Sequence, residues 1–413
     1  MLEKKQGRLL RALGLLGPGL LAALADNDAG GVISYAVTGA KFGVSLFLPA
    51  VCCTALLTYT VQEMAMRLGV VSGAGFHRLV RDRYGKFWMS YQMLSLLVEN
   101  ILTLTTEFIG MSAGLMVLGI PLWGAVLIGV TLVLSLAMIR NYAAREKLAL
   151  CIGLLNVVFV LLAIFLRPDW SAVGETFLFC NRQGGSSRDV LWYLIAMVGN
   201  AVAPWMIFYQ NGAYVEKGTT AEEIRKGRLD TLIGCVCQVV IAFFILLIGA
   251  AFWGVIPNLE SAGPAELISA LGRRFGRWAS VLFGLGLFNA GLLASVTVSL
   301  SSSWSVAQTF GWSRSRSDSP KESPGFYLIY FGSVLLSAAL VLLPGLPLNQ
   351  MAVLTQVFSG ILMTPILFFL LRFTGDKTVM GDLCSTGFQK IRGWFVVGVL
   401  SLICVGTIFT IFL

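Results

Sequence analysis

The chain has 413 residues, of which 57% are hydrophobic and 12% charged, with a formal net charge of +9 and a mean hydropathy of +0.81. A soluble domain carries about a quarter charged residues, so this composition excludes one and predicts an all-α polytopic membrane protein. The positive charge does not mark a nucleic-acid binder, because Lys and Arg are dispersed in short loops between apolar runs, where they set membrane orientation.

The length accommodates about eleven helices of about 20 residues with their loops. Apolar runs bounded by charge, Gly or Pro predict spans near residues 10–40, 43–66, 87–117, 121–139, 147–166, 188–216, 229–254, 277–308, 325–344, 349–372 and 393–413, all within one integral domain, 1–413. The basic N-terminus leads into an apolar run with no small-residue cleavage site, so it reads as a retained first span. Most Lys and Arg fall on the side of the N-terminus. The expectation is a cell-membrane protein with a cytoplasmic N-terminus and, for an odd number of spans, a C-terminus outside.

The loop RLGVVSGAGFHRLVRDRYGK, Arg67 to Lys86, reads as a basic interfacial anchor, and GWSRSRSDSPKES, Gly311 to Ser323, as a flexible linker. The cysteines, Cys52, Cys53, Cys151, Cys180, Cys235, Cys237, Cys384 and Cys404, form no ligand-spaced cluster and read as packing residues. His77 is the only histidine and lies in the basic loop, which excludes an intramembrane histidine relay or a His-rich metal site.

Two spans are interrupted. The first contains GPGLLAALADNDAGG, Gly17 to Gly31, with Asp26, Asn27 and Asp28 in an apolar run and the helix-breaking Gly30 and Gly31 after them. The sixth contains Gly199, Asn200, Ala201, Val202, Ala203 and Pro204. Pro204 lacks a backbone donor and is expected to free carbonyls near Asn200 and Ala201. Broken helices in corresponding positions of two halves point to an inverted repeat with its site at mid-membrane. No Lys, Arg or His lies in either broken span, so buried carboxylates there call for a cation. The candidate ligands are hard oxygen donors: Asp28, then Asp26, Asn27, Asn200 with nearby carbonyls, and Gln356 of the tenth span.

The same motifs carry a resemblance over essentially the whole chain to the NRAMP family of divalent metal transporters. GPGLLAALADNDAGG resembles the family's GPG start and its Asp-Pro-Gly-Asn metal motif, with Asp28 on the Asp. QEMAMRLGVVSG (Gln62 to Gly73), TEFIG (Thr106 to Gly110), GIPLWGAVLIG (Gly119 to Gly129), RPDW (Arg167 to Trp170) and RLD (Arg228 to Asp230) also match. GNAVAPW falls on the sixth-span Met-Pro-His motif and LTQVFSG on the tenth-span Ser-Gln motif. The resemblance implies a leucine-transporter-type fold with two inverted five-helix repeats, about 10–166 and 188–372, an extra helix at about 393–413, and alternating access.

Departures from the family pattern redirect the expected chemistry. Gly31 stands where the family has its asparagine ligand and Ala203 where it has its methionine, while Trp205 and Gln210 replace two histidines and Leu104 an aspartate linked to proton movement. Losing the thioether removes discrimination in favour of soft ions. Losing two side chains also widens the pocket, which suits a largely hydrated Mg2+ ion. The pattern resembles the NRAMP-related magnesium transporters and predicts Mg2+ as substrate, Mn2+ also, without tight proton coupling. Met206 reads as a substitute thioether or as packing, Glu107 as an ion- or proton-path residue or a hydrogen-bonded carboxylate, and Glu99, nearer the helix start, as an ion- or proton-path residue or as wetting a vestibule. A proton-coupled Mn2+/Fe2+ carrier and a sodium-coupled organic solute symporter are the competing functions. No nucleophile, base and orienter converge, so an enzyme is not expected, and no cofactor is implied. The implied partners are the divalent cation and the lipid bilayer, and the chain is compatible with a monomer.

Overall fold

The computed structural model describes residues 17–139, 141–180, 184–256, 263–312, 319–344 and 348–412. These are helices and connecting turns, with no strand among the described residues. The first predicted span is two half-helices, α1 (Pro18–Asp26) and α2 (Ala29–Phe42), joined at Asn27 and Asp28. Then come α3 (Phe47–Ser72), the short amphipathic α4 (Phe76–Tyr84), α5 (Lys86–Met116) and α6 (Leu122–Ala137). The predicted span 147–166 is also interrupted, into α7 (Tyr142–Leu154) and α8 (Val157–Phe165). After α9 (Trp170–Phe179) comes the second broken span predicted, α10 (Ser187–Ala201) and α11 (Pro204–Lys217). The remainder is α12 (Ile224–Ala250), α13 (Pro264–Phe275), α14 (Arg277–Phe310), α15 (Pro324–Leu342), α16 (Leu348–Thr374), α17 (Lys377–Met380) and α18 (Gly387–Phe412).

Six helical segments among the described residues are long and apolar enough to cross a membrane, among them Lys86–Met116, Ala221–Ala250 and Arg277–Phe310. That is fewer than the eleven spans predicted. Broken helices such as α1 and α2 are too short by themselves, and α3 carries Gln62, Glu63 and Arg67. Exposed Phe87, Leu94, Trp123, Leu328 and Leu402 give the bundle an apolar exterior, as contact with lipid requires. Helices α4, α9 and α13 are additions to the predicted spans. Residues 313–318 of the predicted linker lie outside the described residues.

The basic stretch from Arg67 is corrected in two places. Arg67 belongs to α3 and is fully buried. Its guanidinium donates to Glu63 at 3.0 and 3.2 Å, to the Leu383 carbonyl at 2.7 Å and to Ser385 at 3.1 Å. Arg228 of α12 adds a bond to Glu63 at 2.9 Å. A charge pair at this depth persists only when its polar atoms are matched, so the cluster ties α3, α12 and the turn before α18 together. His77 is not in a loop but in α4, buried, with its ring stacked on Phe208 at 4.3 Å. Burial pushes its imidazole down to about 3, so it stays neutral at physiological pH.

Helix α12 is the rod against which both halves of the first span lie. At one end Asp230 accepts from the backbone N–H of Gly17 at 2.8 Å, Gly19 at 2.7 Å and Leu20 at 3.2 Å, and from the Tyr214 hydroxyl at 2.8 Å. A helix start has about four orphan donors, and a side chain from another helix satisfies those of α1. This gives the Gly17-Pro18-Gly19 motif its reason. Pro18 sits at the first helical position, where no N–H is needed, and a methyl group on Gly19 would stand 2.8 Å from the Thr231 nitrogen. Further along, methyl groups on Gly39 or Gly249 would collide with the carbonyl oxygens of Leu246 and Ala36. The backbones of α2 and α12 touch there.

Candidate metal site

The two breaks face each other in the centre of the bundle and are built alike. Asn27 (φ −78, ψ 56) and Asp28 (φ −70, ψ 173) leave the helix between α1 and α2, and Val202 (φ −140, ψ 93) and Ala203 (φ −95, ψ 147) leave it between α10 and α11. The expectation that Gly30 and Gly31 form the first break is corrected: both lie in the first turn of α2. The small size of Gly31 serves contact. A Cβ on Gly31 would stand 2.9 Å from Asn200 Nδ2 and 3.0 Å from Asp28 Oδ1. Pro204 does mark the second break, as the first residue of α11.

Three of the four polar ends created by the breaks have a side-chain partner, and α11 begins without a side-chain cap. Asp28 caps α2, its Oδ1 accepting from Gly31 N at 2.5 Å, and Glu107 of α5 accepts from Ala29 N at 2.8 Å. Two carboxylates therefore hold the positive end of this half-helix. The Leu24 carbonyl, in the last turn of α1, accepts from Asn156 Nδ2 at 3.2 Å. The Ala201 carbonyl accepts from Thr58 Oγ1 at 2.9 Å and from Gln238 Nε2 at 3.3 Å. That carbonyl was expected to be free for a cation, and both its lone pairs are engaged.

Gln238 of α12 is the hub. Its amide also donates to Asp26 Oδ2, and its backbone carbonyl accepts from Asn27 Nδ2 at 3.0 Å. The side chains around Asp28 are almost closed to solvent, with Asp28 at 5% exposure, Asn200 at 3%, Asp26 at 2% and Asn27 at 1%. Yet Asp26 Oδ1, Asn27 Oδ1, Gln238 Oε1 and Asn200 Nδ2 have no hydrogen-bond partner among the described residues. Such atoms cost about 1–3 kcal/mol each when left orphaned, and a set dominated by hard oxygens is what an oxygen-loving cation would satisfy. Among the described residues no three His, Cys, Asp or Glu side chains close on one point. The arrangement is thus carboxylates beside amide oxygens rather than a cage of charged ligands.

A family model described as Natural resistance-associated macrophage protein-like matches residues 19–410. The chain belongs to the Nramp family. It is 26% identical over 408 residues to a protein named divalent metal cation transporter MntH from Deinococcus radiodurans, covering 94% of this chain and 87% of the relative. A protein of the same name from Agrobacterium fabrum is 27% identical over 411 residues, covering 95% and 86%. The solved structure of an Eremococcus coleocola manganese transporter, in complex with an aromatic bis-isothiourea substituted compound, has a TM-score of 0.76 at 22% identity, over 94% of this chain and 84% of that one. MhsT in complex with L-phenylalanine has a TM-score of 0.56 at 16% identity, over 95% and 97%. The all-helical Nramp and leucine-transporter-type fold expected from the sequence is the fold observed.

Placed on this Nramp fold, the predicted site residues separate. Asp28, Gly31 and Asn200 meet, Asp26 and Asn27 are both tied to Gln238, and Ala203 stands at the start of α11, without a side-chain bond, at 8% exposure. The room expected at Gly31 is occupied by the Asn200 amide, which corrects the expectation of a pocket widened there. Met206 is packed in the hydrophobic core, Leu104 and Trp205 are fully buried, and Gln210 donates to Thr231 at 3.0 Å. Glu107 is a hydrogen-bonded capping carboxylate. Glu99 does not wet a vestibule: it has no exposed surface. The side chain of Gln356 lies outside the described residues. Gln238, Asn156 and Thr58 are additions, each a polar residue in an otherwise apolar run.

Proposed function

We propose that the chain carries divalent metal cations across the membrane, with Mg2+ as principal substrate and Mn2+ also accepted, bound with part of the water shell retained. The observation that carries this reading is the cluster of unpartnered hard oxygens beside Asp28, on Asp26, Asn27 and Gln238, with no imidazole or thioether among them. Asn200 joins this shell, since a half-turn of its amide presents Oδ1 in place of Nδ2, and Gln356 is retained from the tenth-span motif. Magnesium surrenders water reluctantly and is held by one or two carboxylates with several waters kept, the inventory available here. Alternating access follows from movement of the repeat at about 10–166 against that at about 188–372, with the Gly17 end of α1 facing the cytoplasm.

Weak proton coupling is supported by what stands on the expected route. Leu104 and Trp205 are buried hydrophobes, and His77 is neutral and stacked on Phe208. A sodium-coupled organic solute symporter is disfavoured because Asp28 and Glu107 already hold the N-terminus of α2, where a substrate carboxylate would bind. The second reading, a proton-coupled Mn2+/Fe2+ carrier, is favoured by the buried Glu107 beside the first break.

Proteoliposomes with an internal pH-reporting dye separate these readings. Mg2+ uptake without luminal acidification is expected, with Mn2+ and Ca2+ run in parallel. Uptake confined to Mn2+ and Fe2+, with acidification, would overturn the proposal. Ala203→Met is expected to raise the Mn2+ over Mg2+ uptake ratio roughly tenfold, the effect of about 1.4 kcal/mol of thioether preference. An unchanged ratio would remove Ala203 from the account of selectivity.

A further inference from the structure

One buried carboxylate has no role in the site just described. Glu99 lies on α5 eight residues before Glu107, about 12 Å along the axis at 1.5 Å per residue, and is fully buried. Thr103 Oγ1 at 3.2 Å and Ser359 Oγ of α16 at 2.7 Å both donate to the same oxygen, Oε1. Oε2 is closed to solvent and has no partner among the described residues. Asp28, another carboxylate, lies within its electrostatic reach.

The polar surface continues sideways. Asn100 donates to Ser301 Oγ at 2.8 Å and Ser302 Oγ at 2.7 Å on α14, and its own Oδ1 is buried without a partner. Were Glu99 protonated on Oε2, that hydroxyl would need an acceptor, and none of the described residues supplies one. Were it ionised, it would need a cation, and no Lys, Arg or His lies in α5 between Lys86 and Met116 after the first residue. A carboxylate with one oxygen fixed by two hydroxyls and the other bare is a half-built ligand shell for a hard cation.

We propose that Glu99, with Ser359 and Thr103, forms a second cation station that exchanges the divalent ion with the Asp28 site. A carrier must bind its ion tightly enough to select it and weakly enough to release it, and two stations in electrostatic contact do this, because occupancy of one weakens the other. The proposal rests on the divalent-cation reading and not on the preference for Mg2+.

The test uses full-length protein in nanodiscs with Mn2+ as paramagnetic probe, and Mn2+ flux in proteoliposomes. Wild type is expected to bind two Mn2+ per chain. Glu99→Gln, isosteric and uncharged, is expected to bind one and to lose Mn2+ flux about tenfold, the scale for altered metal-site shells. Glu99→Asp keeps the carboxylate and is expected to retain two-step binding, which a purely structural role for the glutamate side chain does not predict. If Glu99→Gln is not recovered as folded protein, Ser359→Ala replaces it, with selective weakening of the second binding step expected. One Mn2+ per wild-type chain, or two per Glu99→Gln chain, would overturn the proposal. A wild type that carries Mn2+ but not Mg2+ removes the magnesium preference and leaves this stoichiometry test intact.

Discussion

Asp28→Asn is expected to abolish divalent cation transport while leaving the protein folded. Asp28 performs two tasks at one position, capping α2 through Gly31 N and supplying charge to the site. Asparagine is as good an N-cap as aspartate, so the first task survives the substitution and the second is lost. The neighbouring carboxylates do not replace its charge, since Asp26 already offers the ion its one unpartnered oxygen. One oxygen of Asp26 is committed to Gln238, and Glu107 is committed to the Ala29 amide. Flux of Mg2+ and Mn2+ is expected to fall at least about 100-fold, beyond the usual loss for a supporting group, while thermal stability stays within about 1 kcal/mol of wild type. Asp28→Ala removes the cap as well, at a further cost of about 1 kcal/mol. Liposome flux beside a thermal unfolding curve separates the two tasks. Transport near the wild-type rate in folded Asp28→Asn protein would remove Asp28 from the site.

The second large effect is expected far from the metal site. Asp230→Ala leaves three backbone N–H groups at the start of α1 without their acceptor, and the Tyr214 hydroxyl with only the Gly227 carbonyl at 3.5 Å. At about 1–3 kcal/mol for each buried orphan, and allowing for water entering beside Gly17, the loss of stability is expected to reach about 4 kcal/mol. Asp230→Asn keeps one acceptor oxygen and is expected to cost about half as much. Amide hydrogen exchange reads the mechanism directly, because protection over residues 17–26 should collapse in Asp230→Ala while that of α14 is retained. Unchanged exchange over that segment would show that α1 is held by something else.

The outline of the bundle was legible because an apolar run of about 20 residues bounded by charge is a local signal. Asp26, Asn27 and Asp28 were conspicuous for the same reason: acids in an apolar run need no alignment to be noticed. The position of the break was not legible. Glycine in a helix reads as a weakness, whereas Gly31 is small because Asn200, distant in sequence, rests on it. The roles of Asp230 and Glu107 were hidden in a similar way, since each caps a half-helix belonging to another part of the chain. Gln238 left a trace, an amide in the run VCQVVIAFF, but its three partners are set by tertiary contact alone. Glu99 was misplaced because distance from a helix end says nothing about which neighbour covers it.

The contact between Gly39 and Gly249 has a mechanical consequence. Two helices held by interlocked side chains separate or slide only if those side chains change rotamer, which makes motion along them rough. Where backbone meets backbone there are no teeth to disengage. The face that α12 presents to α2 is therefore a smooth bearing, and the resistance to moving α1 along α12 is concentrated in two hydrogen-bonded clasps, Asp230 at the start of α1 and Gln238 at its end.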